Sequence, residues 1–135
     1  MKTHLPRLAA AMTPFPYSTT PDASLDDARA LLAEHGFHHL PVVADGAVVG
    51  LVHGERLAPT TTGSVAEHCR PVACVVDIET PLAELLEQMV AAHADAAVVL
   101  RHGHLAGVFT ATDACRAFAV LLRELSPEPG DDLVA

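Results

Sequence analysis

Two polar residues that could contact a ligand follow an apolar run: Thr110 and Asp113 in GVFTATDA, residues 107–114. Here a predicted strand gives way to a predicted helix, whose free first-turn amides and positive dipole end form an anion site. The Thr110 hydroxyl can bind a phosphate, and Asp113 can accept hydrogen bonds from a vicinal diol such as ribose. Arg116, one turn further on, either neutralises a phosphate or pairs with an acid. Because Thr-x-x-Asp is also the spacing of an ordinary capping box, capping and ligand binding both stay open.

An earlier stretch, GLVHGERL over residues 50–57, keeps the same glycine and apolar pair but has a different polar tip. His53 and Arg56 stand where the later copy has Thr110 and Asp113. Because a guanidinium cannot accept a hydrogen bond, we expect the ribose contact to be lost in this copy. Arg56 either reaches a phosphate of a ligand in the other half of the cleft or is a solvated surface residue.

Nine histidines make metal binding a question, and they include a cluster of His35, His38 and His39 and a pair, His102 and His104. His38 and His39 enter a predicted strand, so their side chains point to opposite faces. His102 and His104 flank a turn glycine without a cysteine or carboxylate at ligand spacing. We therefore expect no metal site, and a His-rich metal-binding protein is the third of our alternatives.

Catalytic motifs are not found in the sequence. The three cysteines, Cys69, Cys74 and Cys115, lack CxxC spacing, and Cys115 lies in a predicted helix without an obvious histidine partner. A Ser-His-Asp arrangement, a Walker loop and a paired-acid motif are also missing. We expect a protein that is not an enzyme and has no catalytic cofactor.

Charge and hydropathy exclude two classes of partner. The net charge of −9, with eight Lys plus Arg, repels phosphate backbones and anionic membrane surfaces. Half of the residues are hydrophobic, yet no apolar run approaches the roughly 20 residues of a membrane-spanning helix. The N-terminus, broken by Pro6 and Arg7, does not resemble a secretory signal. We expect a cytoplasmic protein that binds neither nucleic acid nor membrane.

The chain contains an internal repeat with an offset of 57 residues, which aligns Pro14 with Pro71 and Gly50 with Gly107 without a gap. The predicted organisation is an N-terminal arm or short helix (1–11), a first repeat (12–58), a linker (59–68), a second repeat (69–125) and a flexible acidic tail (126–135).

Each repeat has the pattern strand, helix, strand, strand, helix. One copy alone would leave an apolar sheet face uncovered, so we expect an α/β (α+β) fold in which two pseudo-symmetric repeats share one core. The predicted strands are 17–20, 39–44, 47–52, 73–76, 96–101 and 104–109, and the predicted helices follow Ser24, Thr80 as an N-cap, and Thr110.

The stretches MTP, HHLPVV, DGAVVGLV and GVFTATD, in this order, resemble the tandem cystathionine-beta-synthase (CBS) domain pair, or Bateman module. The resemblance covers the chain from about Met12 to Leu125. It implies a regulatory module, without catalysis, that binds AMP, ADP, ATP, S-adenosylmethionine or sometimes NAD species in clefts between its repeats.

The resemblance also assigns residues to that ligand. Thr110 would hold a phosphate and Asp113 the ribose hydroxyls, within a motif that includes Gly107 and Phe109. The adenine pocket would be lined by Val72, Ala73, Cys74, Ala94, Asp95, Ala96 and Ala97.

We therefore expect a stand-alone regulatory module that binds an adenosine-containing ligand in its second-repeat pocket and signals to a separate effector protein. Apolar helix faces, including part of the helix over 121–125, favour a homodimer. The alternative is a dimeric interaction module with a vestigial ligand site.

Overall fold

The computed structural model describes residues 5–14 and 17–126. The strands are β1 (Thr13–Pro14), β2 (His39–Ala44), β3 (Ala47–His53), β4 (Val75–Asp77), β5 (Ala96–Arg101) and β6 (His104–Thr110). The helices are α1 (Leu8–Ala11), α2 (Leu25–His35), α3 (Val65–His68), α4 (Leu82–Ala92) and α5 (Ala111–Leu125), with a 3-10 turn at Gly54–Arg56. Apart from Ser126, the predicted acidic tail lies outside the described residues.

The two long hairpins obey the same local geometry. In β2–β3 the turn residues Asp45 and Gly46 have φ of 51° and 78°, and in β5–β6 His102 and Gly103 have 51° and 77°. Positive φ at both central residues is the signature of a type I′ turn, which matches the twist of the flanking strands. Both hairpins also carry a register shift at the equivalent position, the first after Val42 and the second after Val99. The 57-residue repeat is therefore structural as well as sequential.

The first residues of each repeat pair with the other repeat. Thr13 of β1 lies opposite Val108 of β6, and Arg70 pairs with Leu51 of β3. Gly50 permits the second pairing, because a Cβ at Gly50 would lie 2.8 Å from the carbonyl oxygen of Arg70. Each half thus completes the sheet of its partner half.

A parallel strand closes the opposite edge of the second sheet, where β4 pairs with β5, giving the order β1-β6-β5-β4. The predicted strand over 73–76 is displaced to Val75–Asp77. The strand predicted over 17–20 is wrong: only Thr19 makes a parallel bridge, to Val42. Proline at position 21 and the turn that follows it leave this segment too short for a ladder.

Helix starts follow the sequence with one exception. The Ser24 hydroxyl accepts a hydrogen bond from the Asp27 amide at 3.1 Å and caps α2. The predicted N-cap Thr80 is wrong, because Pro81 occupies that position in α4. The amide of Thr80 is already bound to the carbonyl of Asp77 at 2.9 Å in a preceding turn, so the helix begins one residue later.

The two repeats share a hydrophobic core, as expected. Alternate residues of β5 face opposite ways: Ala96 and Val98 pack with Leu40, Val42 and other residues of the first repeat. Ala97 and Val99 instead pack with side chains of α1 and α4, including Leu8, Leu85 and Met89. The second sheet is therefore buried on both faces, once against the first repeat and once against α1 and α4.

Within residues 5–14 and 17–126, none of the helices combines the length and the apolar character that crossing a bilayer requires.

Candidate functional site

Thr110 and Asp113 form a reciprocal capping box at the start of α5. The Thr110 hydroxyl accepts a hydrogen bond from the Asp113 amide at 3.2 Å, and the Asp113 Oδ2 atom accepts one from the Thr110 amide at 3.0 Å. These bonds satisfy two backbone donors that the helix cannot satisfy internally. The capping interpretation is thus realised in the structure.

The Asp113 carboxylate has further partners that an isolated capping box lacks. Its Oδ1 atom accepts hydrogen bonds from the Thr13 hydroxyl at 3.1 Å and from Nη1 of Arg116 at 3.0 Å. The residue is 3% exposed, whereas the Arg116 side chain is 67% exposed. Of the two interpretations of Arg116, pairing with an acid is the one observed. A ligand hydroxyl can reach Asp113 only by displacing one of these donors, and Arg116 is free on its outer side to move.

Asp113 and Arg116 stand in the walls of two cavities. One, which we call the second-repeat cavity, has a volume of about 340 Å³, within the range of small-molecule sites. Its lining includes Thr13, the four residues 36–39, and Thr110, Thr112, Asp113 and Arg116. The other, of about 320 Å³, lies between α1 and α5. Asp113 is turned inward but is not separated from these spaces.

The second-repeat cavity is built by both halves of the chain. The start of α5 supplies one wall, and Thr13 with Gly36, Phe37 and His39 of the first repeat supplies the other. A molecule in this cavity would therefore touch both repeats at once.

The predicted adenine-pocket residues lie elsewhere. Cys74, Ala96 and Ala97 are buried in the two hydrophobic cores, and burial raises the pKa of the Cys74 thiol. Ala73 and Asp95 are exposed, and Val72 and Ala94 are half-buried. None of these seven residues lines the second-repeat cavity. Of the motif residues, Phe109 is buried in the core and Gly107 pairs with Val99, so both are structural parts of β6.

A first-repeat cavity of about 210 Å³ occupies the equivalent end of β3. Its lining includes His53, Arg56, His68 and Arg70. Arg56 therefore lies in its own cavity, away from the second-repeat cavity. The guanidinium groups of Arg56 and Arg70 line this cavity together with the Glu67 carboxylate, which accepts hydrogen bonds from Ser64, so the two arginines are the groups that can pair with an anion here.

A third group of polar residues lies at the ends of β2 and β3 and was missed by sequence reasoning. His39 and His53 are cross-strand partners whose rings make an edge contact, with centroids 4.4 Å apart. Asp95, which precedes β5, comes within 4.8 Å of both. Burial lowers the pKa of each imidazole, and the Asp95 carboxylate partly opposes this.

Known proteins resemble this chain in sequence and in fold. Residues 8–58 and 65–120 each match the family model of the CBS domain. A zinc metalloprotease of Methanocaldococcus jannaschii is 34% identical over 121 residues, which are 89% of this chain and 34% of that protein. The chain thus spans about a third of the length of this relative.

Solved structures share the fold at low identity. The CBS domain pair of protein MJ0100, in complex with 5′-methylthioadenosine and S-adenosylmethionine, has a TM-score of 0.73 and 19% identity over 87% of this chain and 98% of its own. The CBS domain of a bacterial CNNM/CorC family Mg²⁺ transporter, in complex with ATP, has a TM-score of 0.71 and 22% identity over 84% and 87%. The protein CBSX2, in complex with AMP, has a TM-score of 0.70 and 24% identity over 87% and 98%. With two matched domains and a repeat visible in its hairpins, the chain belongs to the CBS domain family, as a tandem pair.

Proposed function

We propose that this chain is a regulatory module that binds an adenosine-containing ligand, such as AMP, ADP, ATP or S-adenosylmethionine, in the second-repeat cavity. The observation that carries the proposal is that both repeats wall this cavity, with Asp113 and Arg116 among its lining residues. The complexes of similar folds with AMP, ATP, 5′-methylthioadenosine and S-adenosylmethionine support the ligand class.

Each polar residue of the cavity has a role in this proposal. The ribose hydroxyls take the place of Arg116 on the Oδ1 atom of Asp113, which retains its bond from Thr13. The released guanidinium turns outward to meet a phosphate or carboxylate of the ligand. Thr110 adds its hydroxyl at the positive end of the α5 dipole. The Arg116–Asp113 pair is thus the closed state of the ligand-free site.

The first-repeat cavity binds at most the anionic part of a ligand. Arg56 and Arg70 both line it, and neither can accept a hydrogen bond from ribose. The Glu67 carboxylate, which also lines it, already accepts hydrogen bonds from the amide and hydroxyl of Ser64. We assign no nucleoside to this cavity, so one chain takes one adenosine group. The adenine-pocket residues inferred from the family resemblance, which include Val72, Ala73 and Asp95, stay a prediction.

The output of the module is a change in the placement of its repeats, read by a second copy of the chain and by an effector protein. Phe118, Leu122 and Leu125 follow one face of α5 at helical spacing and are 59%, 48% and 60% exposed. Together with the apolar groove lined by Leu82 and Leu86 of α4 and Leu121 of α5, they form a surface suited to a homodimer. The module acts in the cytoplasm and has no catalytic activity of its own.

Calorimetry tests the ligand. The wild-type chain is titrated with AMP, ADP, ATP, S-adenosylmethionine and NADH. The Asp113→Ala and Arg56→Ala variants are then titrated with the same compounds. We expect one compound to bind, with Asp113→Ala weakening it far more than Arg56→Ala. A ligand at 100 times its Kd should also stabilise the fold by about 2.7 kcal/mol.

Because Asp113 also caps α5, a second variant separates binding from folding. Asp113→Asn keeps an oxygen for the cap but places an amide donor near ribose, so it should fold and still bind poorly. If none of the five compounds binds, or if the two alanine variants bind as well as the wild type, the chain is a dimeric interaction module with a vestigial site.

A further inference from the structure

The cluster of His39, His53 and Asp95 joins the two repeats at the ends of their strands. His39 opens β2, His53 closes β3 directly opposite it, and Asp95 precedes β5 of the other repeat. Each offers one ligand atom, and these atoms lie within 4.8 Å of one another. The repeat offset pairs His39 with Ala96 and His53 with Thr110, so the second repeat has no counterpart of the cluster.

The donor set matches a particular class of ion. Two imidazole nitrogens and one carboxylate oxygen are ligands typical of Zn²⁺ and neighbouring transition metals, whereas Mg²⁺ and Ca²⁺ prefer oxygen alone. In a tetrahedral zinc site with bonds of about 2.1 Å the ligand atoms lie about 3.4 Å apart. Closing the cluster to that geometry takes movements of roughly 1 Å, which side-chain rotation provides because Asp95 is exposed and both histidines are only partly buried.

Charged residues surround the cluster. Asp95 and Glu55 supply negative charge around the two histidines, while Arg56 and Arg70 oppose it near His53. The ion therefore needs all three ligand bonds, and charge alone would not hold it.

We propose that His39, His53 and Asp95 form a binding site for a zinc-class divalent ion that links the first repeat to the second. The three residues leave a fourth position for water or for an atom of another ligand. His39 also lines the second-repeat cavity, and His53 lines the first-repeat cavity, so the ion would stand between the two. This site does not depend on adenosine binding.

Titration of the untagged, metal-free chain with Zn²⁺ alone tests the site. The variants are His39→Ala and His53→Thr, which introduce the residue types that the second repeat has at the equivalent positions, and Asp95→Asn. The matched control is the double variant His102→Ala/His104→Ala, which removes two exposed histidines from the β5–β6 turn. Co²⁺ serves as a spectroscopic probe, since a tetrahedral site gives intense visible absorption bands.

We expect the wild type and the control to bind Zn²⁺ with equal affinity and to give the tetrahedral Co²⁺ spectrum. Each cluster variant should bind more than about 10-fold more weakly, the effect that loss of even an outer-shell partner has on metal affinity. Far-UV circular dichroism checks folding. Asp95→Asn alters an exposed side chain, so it keeps the test decisive if a histidine variant fails to fold. The proposal is wrong if the wild type does not bind, if Asp95→Asn binds as tightly as the wild type, or if the control alone loses the ion.

Discussion

Thr13 and Asp113, 100 positions apart in the sequence, are joined by a hydrogen bond of 3.1 Å from the Thr13 hydroxyl to Oδ1. The first residue is the start of the first repeat, and the second lies in the opening turn of the last helix. Because β1 of the first repeat pairs with β6 of the second, this bond links β1 to the carboxylate that we propose as a ligand contact. The Thr13–Asp113 bond therefore belongs both to the pairing between the repeats and to the candidate site.

Replacing Thr13 with valine should destabilise the fold by about 1–2 kcal/mol, because a hydrogen bond to the buried Asp113 carboxylate is lost at constant side-chain shape. Urea unfolding followed by circular dichroism measures this as a lower midpoint with an unchanged m value. Thr112→Val changes an exposed residue in the same turn of α5 as Asp113. Its free energy of unfolding should stay within about 0.5 kcal/mol of the wild-type value. Equal behaviour of the two variants would show that the Thr13 bond contributes nothing.

Removing Arg116 separates its contact with Asp113 from its proposed contact with a phosphate. In Arg116→Ala the Oδ1 atom of Asp113 loses one of its two donors and keeps the bond from Thr13, so adenosine should bind this variant as well as, or better than, it binds the wild type. ATP should bind about 10-fold more weakly, because a charge-assisted hydrogen bond to phosphate is lost. Calorimetry with both compounds measures the difference.

Arg123→Ala is the matched control for that experiment, since it removes the same charge from the last turns of α5. It should leave both affinities unchanged. An equal loss of ATP binding in the two variants would mean that Arg116 acts only through the long-range field of the protein, and our assignment of its guanidinium to the ligand would fail.

The sequence predicted the hairpins closely because their patterns are local. Strands expected over 39–44 and 96–101 are observed as His39–Ala44 and Ala96–Arg101, since apolar runs beside a two-residue turn with glycine fix both register and length. The Thr-x-x-Asp spacing also predicted the capping residues of α5, Thr110 and Asp113, although the sequence could not separate capping from ligand binding.

Contacts between the repeats could not be predicted in the same way. The pairing of β1 with β6 involves only two residues of β1, too few to show periodicity. The cluster of His39, His53 and Asp95 depends on a cross-strand register and on the approach of the second repeat, so it cannot be predicted from residue spacing in the sequence. The wall that residues 36–39 give to the second-repeat cavity arises for the same reason.

The pairing of Arg70 with Leu51, the second contact between the repeats, leads to a prediction at Gly50. An alanine there would place its Cβ 2.8 Å from the carbonyl oxygen of Arg70, which is hydrogen-bonded to the Leu51 amide at 2.8 Å. Because the clash is with backbone, Arg70 must move and the pairing is lost. We expect a destabilisation of about 1–3 kcal/mol in urea unfolding. Val49→Thr, an exposed change on the same strand, should have little effect, and a Gly50→Ala variant as stable as the wild type would contradict the close approach.

The apolar face of α5 predicts the oligomeric state. Leu122 lies at the middle of the row formed with Phe118 and Leu125, so a glutamate there would place a charge in the proposed dimer surface. Sedimentation equilibrium should give a dimer for the wild type and a monomer for Leu122→Glu, with unchanged circular dichroism because the side chain is exposed in the single chain. Val49→Glu adds the same charge to an exposed valine of β3 and should remain dimeric. A monomeric wild type would contradict the proposed dimer, and dissociation of Val49→Glu in place of Leu122→Glu would place the interface away from α5.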